Sequence, residues 1–81
     1  MTNFEFIWLG YPSKIGRKQA EKHFRASVRT EADWVDMRTA LRNYLDSKRV
    51  KQGFIMNGST WFNNWRDWVT APKEQEQWVK P

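Results

Sequence analysis

Apolar side chains recur along this chain at three- and four-residue spacings, with polar stretches between the runs. Ala20, Phe24 and Val28 stand four apart, and Trp34, Met37, Leu41, Tyr44 and Leu45 follow the same rule. Trp61, Trp65 and Trp68 fall at i, i+4 and i+7. That period belongs to amphipathic helices rather than strands. It predicts a first helix over residues 4–11, capped by Asn3 and closed by Gly10 and Pro12, and a second over residues 17–28. Thr30, with Asp33 three residues on, has the form of a capping box with Asp in place of the usual Glu or Gln, and opens a third helix over residues 30–47. Residues 13–16 read as a loop and residues 48–53 as the exit from the third helix. Asn57-Gly58 signals a turn, after which Ser59 or Thr60 is expected to cap a helix carrying the three tryptophans. Residues 54–56 read as a short extended piece, too little for a sheet. The expected fold is all-α, a small bundle of three to four helices around one core that includes Trp8 and the C-terminal aromatics. From Thr70 the chain turns polar, so residues 1–69 are expected to form a single domain and residues 70–81 a fraying tail.

Composition sharpens this picture. Eighty-one residues lie near the lower size limit for folding without staples, and six are tryptophan, so a few large rings carry much of the buried area. The absence of cysteine excludes disulfides and thiolate metal sites and fits a reducing cytoplasm. The apolar run over residues 4–9 is too short for a signal peptide or a membrane span. The formal net charge is +5, and it is concentrated: residues 14–51 hold eleven Lys/Arg against five Asp/Glu. Such a field favours an acidic partner, DNA foremost.

At about 100° per residue, Lys18, Lys22, Arg25 and Arg29 fall within a sector of about 60° on the second helix, nearly opposite Ala20 and Phe24. Like charges at this spacing repel, and only Glu21 interrupts them from the flank. Phosphates along a nucleic-acid backbone would neutralise the stripe and release counterions. The third helix adds Arg38, Arg42 and Arg49 along one edge of its apolar face, Lys14, Lys48 and Lys51 sit in the adjoining loops, and Arg17 is a further candidate contact. If the second and third helices pack as a hairpin, both basic sets border one groove. The competing reading is an ordinary solvated face. Arg66 is a further candidate phosphate contact. Trp61, Phe62 and Trp65 read as core, whereas Trp68, near the helix end, is a candidate for stacking on an unpaired base. Trp78 stands in the polar tail, where it either folds back or docks a partner.

Nothing in the sequence supports catalysis, a metal or a cofactor. His23 is the single histidine and borders an apolar face, and no carboxylate pair has a telling spacing. The segment Lys14-Ile15-Gly16-Arg17-Lys18 has one glycine and no hydroxyl after its last lysine, so it is not a phosphate-cradling P-loop. No small-molecule substrate is implied.

Taken together, Trp8-Leu9-Gly10-Tyr11-Pro12-Ser13-Lys14-Ile15-Gly16-Arg17-Lys18-Gln19-Ala20 and Ser59-Thr60-Trp61-Phe62-Asn63-Asn64-Trp65-Arg66-Asp67-Trp68 resemble the opening and closing segments of a known module. It is the C-terminal module of replication proteins of phages and prophages, the replisome organisers and helicase-loader-like proteins. Ala40, Leu41 and Tyr44 match in position between them, so the resemblance spans roughly residues 4–69. It implies a role in starting phage-type DNA replication, through contact with DNA, the replicative helicase or its loader, and it supplies no catalytic residues. Phe62 and Trp65 stand where that family commonly has an aliphatic residue and an arginine. The DNA-binding domain, often winged-helix, that usually precedes the module is not in this sequence, which reads from Met1 as a stand-alone module acting in trans. The leading expectation is therefore binding of single-stranded or non-specific DNA through the second helix. The alternative is an adaptor or inhibitor docking a host replication protein. A helix-turn-helix regulator is a third option, opposed by Asp33 and Asp36 at the start of its reading helix.

Overall fold

The computed structural model describes residues 2–70, which form five α-helices, a closing 3-10 helix and no strand. Helix α1 spans Asn3–Leu9, α2 Arg17–Ser27, α3 Glu31–Leu45, α4 Lys48–Lys51 and α5 Gly58–Asn64, and the 3-10 helix spans Trp65–Trp68. The all-α class read from the spacings is the observed one. Residues 48–51, expected as an exit segment, form a single helical turn on a Ser47 cap. Residues 54–56 connect it to α5 without pairing.

Local chemistry sets each boundary. The first cap is Thr2 rather than Asn3. Its hydroxyl accepts from the Glu5 amide at 3.1 Å, while the Glu5 carboxylate accepts from the Thr2 amide at 3.0 Å. Thr2 has an acidic residue three positions on (Glu5) whereas Asn3 has Phe6, so the reciprocal box forms at Thr2. The bond from the Thr2 amide is the main reason the Glu5 carboxyl lies below its ordinary range. The Thr30–Asp33 box forms as expected, and the shorter Asp33 carboxylate accepts from the amides of both Arg29 (3.1 Å) and Thr30 (3.2 Å). The Arg29 amide leads the causes that hold the Asp33 carboxyl low.

Helix α5 departs from expectation. It starts at Gly58, and neither Ser59 nor Thr60 caps it. Its first amides are satisfied by another part of the chain: Gly58 N–H donates to the Ser13 carbonyl at 2.9 Å and Ser59 N–H to the Ile15 carbonyl at 3.1 Å. A side-chain cap is unnecessary where loop carbonyls already occupy those donors. The expected single helix carrying all three tryptophans is also divided, because the α-helical turns end at Asn64 and Trp65–Trp68 wind more tightly.

Trp61, Phe62 and Trp65 are buried, joined by Phe4, Trp8, Tyr11, Met37, Ala40 and Tyr44. The rings meet edge-on or tilted, as between Trp61 and Phe62 (5.3 Å, 77°) and Phe4 and Phe62 (5.6 Å, 66°). Burying each such side chain contributes about 1.5–3 kcal/mol, with further gain from ring geometry. Helix α2 seats mainly on α5, with Ala20 fully buried on that face, and α3 packs on the 3-10 helix. The α2–α3 hairpin on which a shared basic groove was conditional is therefore not the principal packing. Between those two helices Phe24 meets Trp34 edge-on at 6.2 Å, but α2 takes the aromatic surface of α5 as its principal neighbour. No helix among the described residues is long and apolar enough to cross a membrane.

Candidate nucleic-acid interface

The loop before α2 is fixed at both ends. Trp8 packs over Gly58, where an added Cβ would stand 2.4 Å from the indole ring. Tyr11 and Tyr44 lie parallel at 6.1 Å and both bind the Met56 backbone: the Tyr11 hydroxyl donates to the Met56 carbonyl at 2.6 Å, and the Met56 amide donates to the Tyr44 hydroxyl at 2.8 Å. Burial, with Tyr44 adding to it, pushes the Tyr11 hydroxyl well above its ordinary range. Gly16 takes the left-handed conformation (φ 79°) with Ser59 against it, a position suited to glycine alone. The segments 8–20 and 59–68 thus meet in space. Trp8, Tyr11, Gly16 and Ser59 in them serve the fold.

This clasp aims the start of α2 outward. Lys18, Lys22 and Arg25 are exposed on the side away from Ala20, and Lys18 and Lys22 have no acidic partner among the described residues. Arg25 meets Glu21 at 2.8 Å, an exposed pair of neighbouring turns. Such pairs contribute about 0.3–0.5 kcal/mol and yield readily to a phosphate. Arg29 follows the Val28 cap, so the stripe's last member comes from the connection to α3. Lys14 folds back in part, its ammonium donating to the Tyr11 carbonyl at 2.7 Å. Arg17 leans toward α1, 3.9 Å from Glu5 and 5.5 Å over the Phe4 ring.

The remaining candidates lie elsewhere. Arg38 and Arg42 border a groove between α1 and α3 that contains no α2 residue. The α2 stripe does not border that groove, so the two basic sets do not share it. The Arg66 guanidinium donates to the Ser27 carbonyl at 2.8 Å and to Asp33 at 3.2 Å, and lies 4.3 Å over Trp65. Its donors thus tie the end of α2 to the start of α3. Trp68 is half-buried, edge-on to Tyr44 at 4.8 Å, and its carbonyl accepts from Asn43. Its ring is committed to packing. Trp78 lies outside the described residues. His23 is half-buried on α2, and its carbonyl accepts from the Ser27 hydroxyl.

Sequence reasoning missed the groove. Its signal was present in α1, where Phe6 and Leu9 project opposite Phe4, Ile7 and Trp8, giving a short helix apolar on both sides. No protein-family model, curated protein or solved structure matches the chain.

Proposed function

We propose that this protein is a non-enzymatic nucleic-acid-binding module that holds a phosphate backbone along the outer face of α2. The observation that carries this reading is the exposed pair Lys18 and Lys22, without a carboxylate partner among the described residues, extended by Arg25 toward Arg29 and by Lys14 at the other end. From Lys18 to Arg25 the helix advances about 10 Å. One duplex strand presents a phosphate about every 3.4 Å of axis, so the stripe matches a short run of backbone. Contacts of this kind carry no base information, which makes the binding non-specific. The resemblance to phage and prophage replication modules supports a setting at the start of DNA replication.

The test is a salt titration of binding to labelled single-stranded and duplex oligonucleotides. Affinity is expected to fall steeply with salt on at least one of them. Absence of binding at low salt would reject the reading. A second reading is an adaptor docking a host replication protein such as the replicative helicase or its loader. It is favoured by the apolar groove between α1 and α3.

A further inference from the structure

Helical packing leaves an apolar groove uncovered between α1 and α3, and two arginines stand on its rim. Phe6 and Leu9 are 57% and 61% exposed, and Ile7, Leu41 and Leu45 line the floor beside them. Arg38, Arg42 and Asp46 stand at successive i+4 positions of the same edge, about 6 Å apart along the axis. Arg38 lies 5.1 Å over the Trp34 ring, and neither Arg38 nor Arg42 has a carboxylate partner among the described residues.

We infer that this groove docks an acidic amphipathic helix of a partner protein. Its apolar side would cover Phe6, Leu9, Leu41 and Leu45, two of its carboxylates would face Arg38 and Arg42, and a cation would face Asp46. Charge selects this occupant. A basic partner meets two arginines, and a second copy of this chain brings a further +5 onto a surface that is already positive. A duplex or single strand would satisfy the arginines but leave the apolar floor unmatched. The helix-in-groove mode explains both parts, with anchors at i, i+3, i+4 and i+7 and a charged flank that fixes polarity. This inference rests on a different face from α2, and it stands or falls apart from nucleic-acid binding.

The test titrates the full-length, isotope-labelled protein with two synthetic helices of about four turns. Both carry the same leucine anchors, one with a glutamate flank and the other with a lysine flank. Amide shifts are followed by NMR. The acidic helix is expected to bind saturably, with shifts centred on Phe6, Leu9, Leu41 and Leu45, and about tenfold tighter than the basic one. Arg38→Glu with Arg42→Glu should reverse that preference, and Leu9→Ser, at an exposed position, should weaken both helices while leaving the fold intact. Equal binding of the two helices, or shifts elsewhere, would overturn the inference. So would concentration-dependent dimerisation through the groove, groove shifts on deleting residues 71–81 without any peptide, or groove shifts with an oligothymidine.

Discussion

Replacing Lys18 and Lys22 by glutamine puts a number on the proposed α2 interface. Both side chains are exposed and neither makes an ion pair among the described residues, so the double variant should keep wild-type stability within about 0.5 kcal/mol. If Lys14, Lys18, Lys22, Arg25 and Arg29 each neutralise one phosphate of a single strand, log K falls with log salt at a slope of about −3.5. Raising salt from about 50 to about 200 mM then weakens wild type by about 130-fold. Loss of two contacts leaves a slope of about −2.1 and a weakening of only about 20-fold over the same range. The assay is fluorescence anisotropy of a labelled oligonucleotide at four or more salt concentrations, with circular dichroism to confirm the helical fold. Arg38→Gln with Arg42→Gln, on the α1–α3 groove, is the control and should leave the slope unchanged. The reasoning fails if Lys18→Gln with Lys22→Gln keeps the wild-type slope, or if the groove variant flattens it equally.

The remaining expectations concern the scaffold. Gly58→Ala places a methyl 2.4 Å from the buried Trp8 ring and should destabilise by about 1–3 kcal/mol in denaturant titrations, whereas Gly10→Ala, whose methyl finds only ordinary contacts at 3.7 Å, should be neutral or stabilising. Tyr11→Phe and Tyr44→Phe each remove one hydrogen bond to the Met56 backbone and should cost about 1–2 kcal/mol. Their double variant should be non-additive, which a double-mutant cycle reads directly. Glu5 and Asp33 have carboxyls held low in the fold, so their stabilising contribution is present above the ordinary carboxylate range and drains away as pH falls below about 4. Melting temperature should therefore drop on acidification, and the drop should be shallower in Asp33→Asn.

How much of this was legible follows from the range of each interaction. The α2 span, the start of α3 and the Thr30–Asp33 box rest on residues within one or two turns, and spacing with capping chemistry located them, whereas α3 ends at Leu45, two residues short of expectation. The burial of Trp61, Phe62 and Trp65 was equally readable, since rings on one helix side have nowhere else to go. What spacing does not encode is which helix faces which. The basic edges of α2 and α3 looked like partners because the helices are consecutive, yet α2 seats on α5. The α5 start was misplaced because its amides are taken by Ser13 and Ile15, more than forty positions earlier in the chain. At the candidate interface the charges were visible in the sequence. That Arg66 is spent on Ser27 and Asp33, and Trp68 on Tyr44, required coordinates.

The Tyr11–Met56 bond joins residues 45 positions apart. Closing so wide a span carries an entropic penalty that local helix formation does not repay, so this end of the molecule is expected to assemble late. During synthesis, α2 would leave the ribosome long before the segment that seats it. A cationic helix without its seat is a poor grip for anything. Phosphate binding should therefore switch on only when α5 has emerged, in one step with the final collapse.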